Sequence, residues 1–282
     1  GEVRTGVAVG ASVRRKMGRF DVPVPFVAGK SIARCCGFVS GIDQFDPQFV
    51  GSSLREAPSV APLHRLLLET TWEAIEDAGF VLDLENGTDI GVFVGLSHSD
   101  YQGLQDRSGI GAHTSTGTAH SIAANRISYC LNLRGPSLAL DTACSSALTA
   151  VHLACEQILA GGCKAAVAGG VTVLIAPDGF IGFSQAGMLS PDGNCKAFDA
   201  SANGFVRSEG AGMVLLKRLS DAVSDGDPVY AVIVGSAVNQ DGHTHGISLP
   251  STEAQTRLVR NACANAGIGP RHLNCLTIFR VT

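Results

Sequence analysis

No apolar run in this chain approaches the roughly 20 residues that a membrane-spanning helix needs. Its start lacks the charged-then-apolar layout of a secretory signal. Charged residues are few, at 16%, and they sum to a net charge of −4, which removes the electrostatic case for a nucleic-acid partner. None of the nine cysteines stands in a Cys-x-x-Cys pair, and nine is an odd number. A disulfide framework and a zinc site are therefore not expected, and reduced thiols in a cytoplasmic protein are the plain reading. The chain is instead rich in apolar residues (45%) and in glycine (34 residues). That is an α/β composition, long enough for one large domain or two small ones.

The rest of the chain is organised around Asp141-Thr142-Ala143-Cys144-Ser145-Ser146-Ala147-Leu148. A short apolar run, Pro136 to Leu140, precedes it behind a Gly135-Pro136 turn signal. A helical run from Ser145 to about Ala160 follows and is closed by Gly161-Gly162. Cys144 is thus expected on a sharp strand-to-helix junction, at or near a helix N-terminus. Unpaired N–H groups there lower a thiol's pKa and hold a developing oxyanion. The helix is apolar nearly all round, with Leu148, Val151, Leu153, Cys155, Ile158 and Leu159. This pattern predicts a buried helix and a thiol at the bottom of a pocket. Most free cysteines are structural core groups, but the small neighbours on both sides of Cys144 give another molecule access to the sulfur.

This eight-residue word closely resembles the active-site signature of β-ketoacyl synthases, most closely the ketosynthase domains of modular or iterative polyketide synthases. Other segments resemble the family in the expected order from about Gly37 to Leu273. They include Ile42 to Phe49, Ser53 to Ala57, Ala123 to Tyr129, Phe183 to Ser190, Cys195 to Asp199 and Gly204 to Gly212. In Val60-Ala61-Pro62-Leu63-His64-Arg65, Pro62 and Arg65 match the family's pattern, whereas His64 stands where the family has glutamine.

Periodicity predicts amphipathic helices over Leu66 to Gly79, Thr116 to Leu131 and Thr252 to Gly267. Buried strands are expected over Ile90 to Leu96, Lys164 to Ile175, Met213 to Leu216 and Val229 to Gly235, with a further short strand at Thr5 to Gly10. The Gly169-Gly170 pair inside a strand suggests close backbone approach. It is not followed by Gly-Lys-Ser/Thr, so it is not read as a phosphate loop. The basic cluster Arg14, Arg15, Lys16 and Arg19 reads as a solvated face. His98 follows a strand in a loop, a place where α/β proteins put function. His243 and His245 lie two apart without a third ligand at metal-binding spacing.

The resemblance implies the α/β thiolase-like fold: the N-terminal βαβαβ half and the start of the second half. Residues 1–36 are expected to be an atypical N-terminal segment, 37–250 the ketosynthase N-terminal half, and 251–282 the start of the C-terminal half with a truncated or divergent tail. Cys144 would be the nucleophile, with its backbone N–H as half of the oxyanion hole. No cofactor is expected to be bound; an acyl carrier protein would deliver acyl and malonyl thioesters on its phosphopantetheine arm. A homodimer paired through Ser137 to Leu140 is also implied, with no nucleic-acid or membrane partner. The family's two catalytic histidine motifs are not found; the tail reads Cys275-Leu276-Thr277-Ile278-Phe279-Arg280-Val281-Thr282. The alternatives are a non-elongating acyl-binding or dimerisation module and a cysteine hydrolase of another fold. The latter requires a histidine beside the thiol, and no histidine here has that context.

Overall fold

The structure, a computed structural model, describes residues 27–33, 35–105, 108, 110–269 and 271. The expected strand at Thr5 to Gly10 and the basic cluster Arg14 to Arg19 lie outside the described residues. In chain order the elements are α1 (Pro62–Asp77), β1 (Ile90–Gly95), α2 (Asp100–Leu104), α3 (Thr114–Thr118), α4 (His120–Cys130), β2 (Ser137–Leu140) and α5 (Ser146–Leu159). Then follow β3 (Ala165–Thr172), α6 (Asp178–Gln185), β4 (Gly210–Lys217), α7 (Leu219–Asp225) and α8 (Thr252–Asn265).

The strands form one sheet in the order β2-β1-β3-β4. β1 lies parallel to both β2 and β3, and β4 closes the other edge antiparallel to β3. The βαβαβ run expected of an α/β fold is thus present, with one antiparallel strand added. β1 is buried at all six positions because helices cover both of its faces. Ile90, Val92 and Val94 meet Leu63, Leu67 and Ile75 of α1 and Ala123 and Ile127 of α4 on one side. Phe93 turns to the other side and meets Ala150, Ala154 and Ile158 of α5. This alternation is the period of two that a strand imposes on its side chains. Each fully buried large side chain contributes about 1.5–3 kcal/mol, so these two layers hold the sheet end that carries Cys144.

Two expectations from periodicity are corrected by packing. The single helix expected over Thr116 to Leu131 is two helices, broken at Ala119, whose backbone is extended. Gly117 explains the break: it lies against the Ser59 carbonyl, and a Cβ there would come within 1.9 Å of that oxygen. The docking of α3 onto the 57–61 segment therefore overrides continuous helix. The strand expected over Val229 to Gly235 is not formed; that stretch is irregular, and Val229, Val232, Ile233 and Val234 are exposed. A strand needs a neighbour to take its hydrogen bonds, and among the described residues none is placed beside it. Side chains pin the following residues instead: His152 Nδ1 meets Ser236 Oγ at 2.8 Å, Asn239 donates to Ala254 O and Asn265 to Ser236 O.

Candidate active site

The carboxyl ends of the parallel strands β1, β2 and β3 point the same way, and their outgoing loops meet. This end of an open α/β sheet is where ligands bind. Cys144 comes four residues after β2, in a single 3-10 turn, Ala143–Ser145, that runs directly into α5. Two glycines bring the helix this close to the sheet. A Cβ on Gly95, the last residue of β1, would lie 2.3 Å from the Ser146 carbonyl carbon and 2.4 Å from the Ala147 nitrogen. A Cβ on Gly170 in β3 would lie 2.8 Å from the Cβ of Ala147. The start of α5 therefore rests on bare backbone at two adjacent strands.

The turn itself is sharp. Ala143 has φ +55°, a left-handed conformation that costs a residue with a Cβ about 1–2 kcal/mol. Local hydrogen bonds hold it there. Asp141 Oδ1 accepts from the Ala143 N–H at 2.8 Å, Ser146 Oγ accepts from Thr142 N at 2.9 Å, and that same hydroxyl donates to Ala143 O at 2.6 Å. Ser145 Oγ donates to Thr142 O at 2.9 Å and lies 2.7 Å from Thr142 Oγ1. The side chains thus satisfy the turn from within. The Cys144 N–H has no partner among the described residues and is available to an incoming oxygen. Strain at a junction of this kind is a feature of functional sites.

Two expectations for this element are corrected. Cys144 is exposed, not at the bottom of a pocket. Nor is α5 buried all round: Ser146, Ala150, Ala154 and Ile158 form one buried stripe at four-residue spacing, while Leu148, Leu153 and Leu159 are 52%, 38% and 66% exposed. The cause is geometric. One sheet covers one face of a helix, and on the opposite face the described residues reach only His152, through Ser236, and leave Leu148, Leu153 and Leu159 exposed.

The sequence of this site and of the elements around it matches a known family model, that of the β-ketoacyl synthase N-terminal domain, over residues 4–222. The chain belongs to the β-ketoacyl synthase family. The model of the family's C-terminal domain matches residues 230–278. A phenolphthiocerol/phthiocerol polyketide synthase of Mycobacterium tuberculosis is 47% identical over 257 residues, covering 90% of this chain and 17% of that protein. The mycocerosic acid synthase-like polyketide synthase of Mycolicibacterium smegmatis is 47% identical over 260 residues, covering 90% and 12%. Among solved structures, an oxazolomycin ketosynthase domain of Streptomyces albus superposes with a TM-score of 0.86 at 43% identity, covering 93% of this chain and 47% of that one. The ketosynthase from module 6 of the Bacillus subtilis bacillaene synthase gives 0.78 at 41% identity, covering 84% and 40%. The fold is the α/β thiolase-like fold of these ketosynthases. The chain spans less than a fifth of these polyketide synthases and under half of these ketosynthase structures.

Within this chain most other thiols differ from Cys144 in setting. Cys36 is buried, and desolvation, with the Glu209 charge adding, pushes its pKa up to about 12. Burial also raises Cys130, Cys155 and Cys163. Among the described cysteines only Cys144 and Cys195 are exposed. The histidines singled out in the sequence are dispersed. His64 is buried in α1, His98, His243 and His245 are exposed in loops, and His152 is held by Ser236. Among the described residues no group of three or more His, Cys, Asp or Glu is placed to hold a metal.

Three charged residues around the site are not singled out by the sequence, although Arg207 and Glu209 lie inside the matching segment Gly204 to Gly212. Asp100 Oδ2 accepts from the N–H groups of Ile175 and Ala176, at 3.1 and 3.0 Å. Glu209 accepts from Leu174 N through Oε1 and from Val39 N through Oε2, both at 2.9 Å. Together they fix the loop that leaves β3 beside the nucleophile turn. The third is Arg207, two residues before Glu209. Arg207 and Glu209 share the segment before β4, while Asp100 lies more than 100 residues earlier in α2; no spacing rule links it to them, and only the fold brings them together.

Proposed function

We propose that this chain carries the acyl-accepting half-site of a polyketide ketosynthase, with Cys144 as the nucleophile. The supporting observation is an exposed thiol at the strained turn before α5, seated on Gly95 and Gly170 with its own N–H uncommitted. The Cys144 thiolate attacks the carbonyl carbon of an acyl thioester on a carrier protein's phosphopantetheine arm. The Cys144 N–H, at the positive end of the α5 dipole, takes the developing oxyanion. The tetrahedral adduct collapses, its carbon–sulfur bond to the arm breaks, and the departing thiolate takes up a proton. The acyl group now sits on Cys144.

In the condensation that follows in the family, a malonyl-type extender loses CO₂. The carbanion so formed attacks the acyl carbon, and the Cys144 thiolate leaves. The resemblance assigns that step two histidines and a second oxyanion donor. We further propose that β2, an edge strand with Leu138 exposed, pairs with its counterpart in a homodimer, since an open apolar edge needs cover. The test of the central step is intact-protein mass after incubation with an acyl-pantetheine thioester. One acyl mass is expected on the native chain and none on Cys144→Ala. Equal loading of both proteins would overturn the reading.

A further inference from the structure

Beside the nucleophile lies one cation with no partner among the described residues. The two buried arginines on α1 and α4 are committed. Arg65 donates to the carbonyls of Val60, Asp43 and Ala57, and Arg126 pairs with Glu56 at 2.6 Å and donates to Thr116 O. Half-buried Arg207 is different. Its Nε, like that of Arg126, is buried without a partner, but none of its other guanidinium nitrogens makes a hydrogen bond or ion pair to the described residues either.

The side chain is nevertheless held in place. Its Cζ lies 5.2 Å from the ring centroid of Phe180 and 4.8 Å from that of Phe183. On Gly179 a Cβ would stand 3.1 Å from Cζ and from both terminal nitrogens, so the guanidinium lies flat over backbone that carries no side chain. Stacking of this kind fixes the plane and leaves its N–H edge unused. The position is at the Cys144 end of the sheet. Arg207 precedes β4, whose first residue pairs with Thr172 at the carboxyl end of β3. Asp100 and Glu209 clamp the loop between β3 and α6.

Burial lowers the Arg207 pKa from its ordinary value, while the charge of Asp100 acts the other way. An arginine stays charged regardless. Keeping a charge partly out of water without a partner is costly unless something in the functional cycle supplies one.

We infer that Arg207, clamped by Phe180, Phe183 and Gly179, is the recognition group for an oxyanion carried by the thioester that visits Cys144. The inference rests on the reading of Cys144 as acyl acceptor. Two sources offer that chemistry, the phosphate of a pantetheine arm and the carboxylate of a malonyl-type extender. Both suit a planar fork of N–H donors.

The experiment uses the full chain and four unreactive probes in which an amide replaces the thioester: acetyl- and malonyl-pantetheine, each with and without the arm phosphate. Binding is measured by calorimetry at low and at high salt. A charge-assisted hydrogen bond contributes about 1.5–3 kcal/mol, so an anionic probe should bind roughly 10- to 100-fold more tightly than acetyl-pantetheine. Arg207→Gln should erase that preference. A phosphate-only preference identifies the arm as the source, and a carboxylate-only preference identifies the extender.

Salt provides a check that needs no variant: in the native chain the preference should shrink as ionic strength rises. Cys144→Ala should keep the preference while losing acylation, so failure of the Cys144 reading would be seen separately, as absent acylation of the native chain. Equal binding of neutral and anionic probes, a preference untouched by salt, or a preference surviving in Arg207→Gln would overturn the inference.

Discussion

Gly95 and Ser146 touch backbone to backbone: the Cβ that Gly95 lacks would fall 2.3 Å from the Ser146 carbonyl carbon, two residues past the nucleophile. No side-chain rotation relieves a clash with backbone, so Gly95→Ala must push the start of α5 away from the sheet. Overpacking of this kind costs about 1–3 kcal/mol. Thermal unfolding should fall by several degrees, and acylation of Cys144 should fall more than the stability loss explains, because the thiol moves with the turn. An unchanged melting temperature with unchanged acylation would show that the contact does not position the nucleophile.

Ala143 gives the opposite sign. Its left-handed backbone suits glycine, so Ala143→Gly should stabilise the fold by roughly 1 kcal/mol, or a few degrees in Tm. It should also loosen the turn and slow acylation. A variant that is both less stable and equally reactive would contradict the assignment of strain to this residue.

These two sites also show what is legible in the sequence. A glycine pair inside a strand has few explanations, and Gly169-Gly170 has the expected one: a Cβ on Gly169 would lie 2.0 Å from Gly212 O, and one on Gly170 would meet Ala147. The strand-turn-helix junction at Cys144 is equally plain, because turn residues and periodicity change there within four positions. The exposure of Leu148, Leu153 and Leu159 is not legible. An apolar surface states what it prefers to touch, not what lies against it. Val229 to Gly235 misleads for the same reason, since β-branched residues signal a strand but do not supply its neighbour. Arg207 does not stand out within its matching segment. Its stacking depends on Phe180 and Phe183, more than 20 residues earlier, arriving on the same side of the sheet.

His64 makes stability depend on acid. It is fully buried in α1, and burial, with the Arg126 charge adding, pushes its pKa down to about 3 from 6.5. The unfolded chain takes up that proton near pH 6.5 and the folded chain only near pH 3. Stability from this group is therefore present above pH 6.5 and is lost as pH falls from 6.5 toward 3, by up to about 1.4 kcal/mol per pH unit. His64→Gln should flatten that part of the profile of denaturant-measured stability. Equal slopes for the native chain and the variant would place the acid sensitivity elsewhere.

Condensation offers a test of the histidines. His64, His98, His113, His120, His152, His243, His245 and His272 lie outside the family's two histidine motifs. The 282-residue chain given acyl- and malonyl-thioesters should stop at acyl-Cys144, releasing no CO₂ above the uncatalysed background. A β-ketoacyl product would mean that one of the eight acts in acid/base chemistry.

The central claim is that the Cys144 turn, not mere exposure, makes this thiol the acyl acceptor, and Cys195 is the built-in control because it is exposed too. The decisive measurement is peptide-level mapping of the acyl group over all nine cysteines after limited incubation with an acyl-pantetheine thioester. The account predicts the label on Cys144 at least roughly tenfold above Cys195 and the rest. Equal labelling of Cys144 and Cys195 would contradict it.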